Sequence, residues 1–451
     1  MTTSSRRLSC LLSVLILTVA AAAELPPAHA VAPWIQSAVI YEINTRTFSP
    51  EGTFRGIEKR LDDLQHLGVT VLWLMPIHPD GQVNKKGTYG SAYAVRDYYA
   101  IDPAYGTKDD FRHLVAEAHR RGLKVIIDIV PNHTAWDSVM MKNPSWYHHD
   151  ATGKIIPPNP DWTDVAWLDY SNPQLRSYML DMLKYWLKDF DLDGFRCDVA
   201  SGVPTDFWDA TRPELEKVKS DIIMIAESNK PELLVKAFDL DYSWPFHSTL
   251  TNVAENGQPS EMIQLNWQTE RDRYPKGALE MRFSDNHDEK RAIARFGELG
   301  ALSASTLVFT MDGVPLLYNG MEVGDTTESG APALFEKLNV FWPIAERRPQ
   351  FLRFYTEMIA LRKAHPALQQ GETEWLKNSA SDRIVTYLRK APGEEFFVAI
   401  NLSNRPVVGA VDLPAGNYED VTPALDPAKR KPASAVLALD AWGFRIYRRQ
   451  P

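Results

Sequence analysis

PQLRSYMLDMLKYWLKDFDLDGFRCDVAS, Pro173 to Ser201, carries the signals that decide the fold. Leu180, Leu183, Trp186, Leu187 and Phe190 recur at helical spacing, so the first part reads as an amphipathic helix. After Gly194, the run Phe195–Val199 reads as a short buried strand. The same unit of helix, glycine and apolar strand occurs twice upstream. IEKRLDDLQHLG leads into VTVLWLMP (57–76), and DDFRHLVAEAHRRG leads into LKVIIDIV (109–130). In each unit the glycine is expected to take the left-handed cap that ends the helix. The strands are apolar on both faces, the pattern of a parallel sheet covered by helices.

Working outward, five further strands are expected: AVIYEIN near 38, IIMIAES near 222, AFDLDYS near 237, LEMRFSDN near 279 and VPLLYNG near 314. With the three above they make eight, and eight strands alternating with helices predict a (β/α)₈ barrel. A doubly wound open sheet is the alternative; the first strand lacks the glycine-rich phosphate loop that would favour it. Residues 134–172 are rich in Trp, Tyr, Pro and Asn and too long for an ordinary βα loop, which predicts an inserted domain. From about 369 the pattern turns to short strands separated by Pro, Gly and Asn (RIVTYLRK, EFFVAINLS, VVGAVDL, AVLALDAWGFRIYRR), expected to form an antiparallel β-sandwich. The expected organisation is a leader over 1–30, barrel over 31–133, insertion over 134–172, barrel over 173–368 and sandwich over 369–451.

The chain has 451 residues, is 44% hydrophobic and carries a formal charge of −9 without a long Lys/Arg run. This argues against nucleic acid or an anionic membrane surface as its partner. At the N-terminus, Arg6 and Arg7 precede an apolar run from Leu8 to Ala23. Small-residue sites follow, at Ala21–Ala23 or at Ala28-His29-Ala30. This is the pattern of a cleaved secretory signal, so a secreted or periplasmic protein free of the membrane after cleavage is expected. No other segment reads as apolar enough to cross a bilayer. Cys10 lies in the leader, leaving Cys197 as one small buried thiol and no intramolecular disulfide.

In a barrel of this kind the reactive groups stand at the C-terminal ends of the strands. The third strand ends in Asp128 to His133 (DIVPNH), the fourth in Arg196 and Asp198, the fifth in Glu227, and the seventh in Asp285 to Asp288 (DNHD). Barrel closure would bring these together in one pocket. Several carboxylates with an arginine and two histidines suit glycoside cleavage, which needs one ionised carboxylate at the anomeric carbon and one protonated acid at the leaving oxygen. Arg196 and Asp198 are then expected as a charged pair at the rim of the mouth, the arginine keeping its neighbour ionised and oriented.

DIVPNH, GFRCDV, IAES and FSDNHD, in that order on those strands, resemble the four short motifs of the α-amylase family of glycoside hydrolases. VTVLWLMPI, YAVRDYYAIDPAYGT and GVPLLYNGMEVG resemble stretches that flank them, so the likeness runs from about Val39 to Leu368. The resemblance implies that Asp198 is the nucleophile and Glu227 the general acid/base. It implies that Asp288 is the third carboxylate, which grips sugar hydroxyls. Arg196 would orient the nucleophile, His133 and His287 would bind hydroxyls of the reacting sugar, and Tyr93 would stack beneath it. The implied reaction cleaves α-1,4-glucosidic bonds of starch-like glucans or maltooligosaccharides with retention of configuration and needs no cofactor. The rival readings are an α-glucanotransferase using the same site and an inactive sugar- or partner-binding protein on the same barrel.

The chain departs from the family pattern in two places. Ala200 and Ser201 stand where α-amylases usually carry Lys-His, which contacts sugars on the leaving side. Asn132 matches a residue that often binds calcium, but Trp167 replaces an aspartate ligand, so structural calcium is left open. Trp136, Trp146, Tyr147 and Trp162 of the insertion read first as packing residues and only second as sugar platforms. His148-His149-Asp150 reads as a surface turn, and Arg291 and Arg295 as a solvated helix face or structural pairs.

Overall fold

The computed structural model describes residues 25–331 and 333–450. Most of the expected leader lies outside them. Eight strands close a parallel barrel: β1 (Ile40–Ile43), β2 (Val71–Leu74), β3 (Lys124–Ile129), β4 (Gly194–Cys197), β5 (Ile223–Ala226), β6 (Leu240–Tyr242), β7 (Leu279–Arg282) and β8 (Val314–Tyr318). Each pairs with its sequence neighbours, and β1 pairs with β8 to complete the ring. All eight expected strands are present, and closure removes the open-sheet alternative.

The two-residue period of a strand divides each one between two environments. Tyr41, Leu72, Leu74, Val125, Ile127, Phe195, Cys197 and Met224 face the surrounding helices in the main core. Ile40, Val71, Trp73, Ile126, Ile223, Ile225, Leu240, Tyr242 and Met281 form a separate apolar cluster inside the barrel. One step of two residues beyond this apolar layer, toward the strand C-termini, lie Glu42, Asp128, Arg196 and Glu227. The alternation that fills the lower barrel with aliphatic groups therefore aims these charged groups into its upper layer.

The helix Pro173–Phe190 packs Leu183, Trp186, Leu187 and Phe190 into the core as its spacing predicted. Its left-handed C-cap, however, is Asp191 (φ 55°), not Gly194. Gly194 opens β4 at φ 146°, where a Cβ would stand 1.8 Å from the carbonyl oxygen of Ile223. The glycine is needed there for the close approach of β4 to β5. Gly68 and Gly122 do take positive φ after their helices.

After β3 the chain makes an excursion through two short strands, His133–Ala135 and Val165–Trp167, paired antiparallel. Beyond the barrel, Glu372–Trp375, Ile384–Ala391, Glu394–Asn401, Phe444–Arg449 and Tyr418–Asp420 form a five-stranded antiparallel sheet. Val407–Ala410 and Val436–Leu439 form a two-stranded one, and Ile384, Leu388, Phe397, Leu437 and Leu439 share an apolar cluster with residues of both sheets. The stretch AVLALDAWGFRIYRR, read as one strand, is split by a turn with Trp442 at φ 56°, so its halves join different sheets. One further expectation is corrected: Ala292–Thr310 is long and apolar enough to cross a membrane. It is instead largely buried in the protein, with Gly297 breaking its helical geometry.

Candidate active site

Arg196 is the centre of the site and is completely buried. Its Nη1 donates to Asp128 Oδ1 at 2.9 Å, to Asp128 Oδ2 at 3.0 Å and to Asp198 Oδ1 at 3.1 Å. Its Nη2 lies 3.1 Å from Glu227 Oε2, and its Nε donates to the Tyr242 hydroxyl at 3.1 Å. The guanidinium also rests over the rings of Trp73, Tyr93 and Tyr242. The expected pair at the rim is therefore a buried hub below the rim, one cation shared by three carboxylates. A strand register in which Asp128 stands beside Arg196 makes this possible.

Three carboxylates around one guanidinium cannot all ionise cheaply. Burial, and after it the negative charge of Glu227, push the Asp198 carboxyl well above its ordinary value. Burial, partly offset by Arg196, raises Asp128 to about 6. For Glu227 burial acts upward too, but Arg196 and the backbone N–H of Val199 outweigh it and hold the carboxyl down. That N–H donates to Glu227 Oε2 at 2.8 Å. Val199 presents it from φ 43°, ψ 44°, a conformation a β-branched residue seldom adopts, and strain of this sort gathers at functional sites. The shared guanidinium and the mutual repulsion thus push the two carboxyls apart, Asp198 upward and Glu227 downward.

Among the described residues Asp198 Oδ2 is buried without a hydrogen-bond partner, so one oxygen of this carboxyl is free to meet another atom. His133 Nε2 lies 4.0 Å from it. Burial drives the His133 imidazole down to about 4, so it is neutral, with Asn132 Nδ2 3.2 Å from its Nδ1. His287 is the opposite case. Burial would lower it, but Asp288 and Glu42 together raise it to about 9. Its Nδ1 is bonded to Glu42, and its Nε2 donates to the Tyr93 hydroxyl at 2.7 Å and lies 3.3 Å from Asp288 Oδ2. The Tyr93 hydroxyl in turn donates to Asp128 Oδ2 at 3.0 Å, and the Tyr93 ring stacks on the imidazole at 5.3 Å.

Of the seven residues singled out in the sequence, Tyr93, Arg196, Asp198, Glu227, His287 and Asp288 are joined through one network, and His133 stands beside it, 4.0 Å from Asp198. The Asp288 side chain is 34% exposed and that of Glu227 17%, against 9% for Asp198, so solvent enters past the first two. Glu42 and Asp128, to which the motifs assign no role, belong to the same network. The signal for both was a lone acid in an otherwise apolar strand, IYEI and KVIIDI, at the inward period.

The residues at the place suggested for calcium have partners of their own. Asn132 is turned to the His133 ring, Trp167 lies against His148 with ring centres 3.8 Å apart, and Asp164 is paired with Lys86. Among the described residues no three His, Cys, Asp or Glu side chains are grouped to hold a metal. Of the discounted aromatics, Trp146 and Tyr147 are buried, while the Trp162 ring lies 5.6 Å from that of His133. Arg291 is buried, with Asn319 O and Asp325 as partners, and is a structural pair.

The profile of the family described as "Alpha amylase, catalytic domain" matches residues 36–337. Among sequence relatives, alpha-amylase MalA of Haloarcula japonica is 29% identical over 405 residues, covering 85% of this chain and 58% of that protein. The intracellular maltogenic amylase of Bacillus subtilis is 30% identical over 347 residues, covering 72% of this chain and 57% of that protein. The chain thus spans under three fifths of the length of these two relatives. Among solved structures, the maltogenic alpha-amylase AmyB of Thermotoga neapolitana superposes with a TM-score of 0.81 at 30% identity, covering 92% of this chain and 96% of that one.

Proposed function

Since the chain belongs to the α-amylase family of glycoside hydrolases, we propose that it hydrolyses α-1,4-glucosidic bonds in starch-like glucans or maltooligosaccharides with retention of configuration. The observation that carries this reading is the free Oδ2 of Asp198, held beside Glu227 and braced through Oδ1 by Arg196. In the first step Asp198 attacks the anomeric carbon while the glycosidic C–O bond breaks. Glu227 gives its proton to the leaving oxygen. In the second, Glu227 takes a proton from water, whose oxygen attacks the same carbon and releases Asp198. Asp288, His287 and neutral His133 bind hydroxyls of the reacting sugar above Tyr93. This family's chemistry calls for no cofactor.

The first step needs the proton on Glu227 and the charge on Asp198, and Arg196, donating to Asp198 Oδ1 at 3.1 Å, favours that charge. The Ala200–Gly202 turn lacks the Lys-His pair of many relatives, so the leaving sugar is held with fewer charged contacts.

The test is digestion of maltoheptaose by the full chain, with product anomers followed by NMR. α-Anomers formed first, and a loss of about 10⁴-fold or more in Asp198→Ala that stays folded, are expected. Products with no net gain in reducing ends would make it a transferase instead, and activity retained in Asp198→Ala would remove the mechanism. Export by the leader is part of the proposal, supported by Arg6 and Arg7 ahead of the apolar run Leu8–Ala23. N-terminal sequencing of the mature protein checks it, and an unprocessed Met1 would refute it.

A further inference from the structure

On one side of the barrel mouth the loops are tied to one another. The loop after β2 leaves and returns through an antiparallel bridge between Asp80 and Val95, and its tip is tied to two other loops. Lys86 Nζ donates to the carbonyl of Asp161 at 2.9 Å and lies 3.1 Å from Asp164 Oδ1, both in the excursion after β3. Tyr89 N donates to Phe335 O at 3.0 Å and Thr88 N to Glu336 Oε1 at 3.0 Å, both in the loop after β8. The contact is tight, since a Cβ on Gly87 would stand 2.4 Å from Phe335 Cβ. Arg46, after β1, adds an ion pair with Asp80 and hydrogen bonds to Gly90 O and Leu334 O. Loops from four strand ends are thus knit into one wall.

The wall grows out of the groups that surround the reacting sugar, not out of those that face its leaving group. Tyr93 ends the β2 loop, and His133 begins the excursion that carries Asp161 and Asp164. The β8 loop is pinned beside Asp288, where Gly330 N donates to His287 O at 3.2 Å and Ser329 Oγ to Glu289 O at 2.7 Å. Glu227, with its neighbouring turn Ala200–Gly202, stands apart, and among the described residues no hydrogen bond or ion pair joins them to the wall.

The direction of the substrate follows from the chemistry. The sugar attacked by Asp198 parts from an oxygen that must lie at Glu227, so the leaving chain runs past Glu227. Any further sugars on the attacked one, attached through its O4, run the opposite way, toward the wall. We propose that this wall ends the glycone side of the cleft, so that the enzyme takes α-1,4-glucans by their non-reducing ends and releases short products from that end. An internal segment of a polymer needs both directions open and is excluded. The inference rests on the hydrolase reading above and adds the mode of attack.

The test compares two p-nitrophenyl maltoheptaosides, one with a free non-reducing end and one with its terminal O4 and O6 tied in an ethylidene acetal, with products separated by chromatography. The free substrate is expected to be cleaved about 100-fold faster in kcat/KM, since the acetal abuts the wall. Equal cleavage of both overturns the proposal and leaves the hydrolase reading standing; cleavage of neither overturns the hydrolase reading. In a second arm, residues 84–88 are replaced by Gly-Gly, and Lys86→Ala is prepared in case the shortened loop does not fold. Opening the wall is expected to raise the rate on the acetal at least about 10-fold while changing the free substrate little. A folded variant that still rejects the acetal as the native enzyme does would show that the wall is not the barrier.

Discussion

Replacing Glu42 with Gln removes one negative charge from the deepest layer of the site and keeps the side-chain shape. Glu42 is fully buried, bonded to His287 Nδ1, and its other oxygen has no partner. The groups facing the imidazole are Glu42 from β1, Tyr93 from the β2 loop, Asp128 from β3, Arg196 from β4, Glu227 after β5 and Asp288 beside it. In the native site the imidazole stands at about 9 against an ordinary 6.5. That gap amounts to about 3 kcal/mol favouring the imidazolium. Asp288 and then Glu42 supply it against burial, so removing Glu42 should lower the pKa by about one to two units. Because the folded-state pKa is raised, the stability it confers is complete below about pH 6.5 and fades as pH rises through about 9. Glu42→Gln should therefore cost most near pH 6. Near pH 10 it should cost little or even stabilise, since burial already raises the Glu42 carboxyl and no imidazolium then compensates it. Urea unfolding at pH 6, 8 and 10 measures this. The titration of the His287 imidazole, followed by NMR, should move toward neutrality by about one unit or more. A pH-independent stability difference together with an unmoved His287 titration would refute the coupling.

Two other perturbations test the frame that holds the site. Gly194→Ala would place a methyl 1.8 Å from the Ile223 carbonyl oxygen between β4 and β5; a loss of more than about 4 kcal/mol or no soluble protein is expected, and a thermal midpoint near that of the native chain would contradict the close approach. Asp128→Asn weakens the brace that fixes Arg196 against Asp198, with a fall in kcat of about 100-fold and a smaller change in KM expected from misplaced reacting groups. Steady-state kinetics on maltoheptaose check this, and an unchanged kcat would mean that Asp198 and Glu227 alone position the guanidinium.

Much of this protein is legible in its amino-acid sequence. Helical spacing in Pro173–Phe190, apolar runs that follow it and its two upstream counterparts, and the order of the acidic strand ends predict a barrel with Asp198, Glu227 and Asp288 at one end. Such features are local: a period of 3.6 or of two residues declares which face of an element is buried, whatever lies across from it. The tertiary structure decided the rest, because the deciding neighbours are distant in the chain. Glu42 meets His287 across 245 residues, and only closure of β1 onto β8 brings them to the same depth. Arg196 reads as half of a rim pair because its local partner is Asp198; the register of β4 against β3 makes it a buried hub shared with Asp128. Gly194 reads as a helix stop because glycine favours such caps, but the space it must leave belongs to Ile223 on another strand. The wall beside Tyr93 has no sequence signal, since Lys86, Asp164 and Phe335 belong to no local pattern and meet only when the barrel sets their loops side by side.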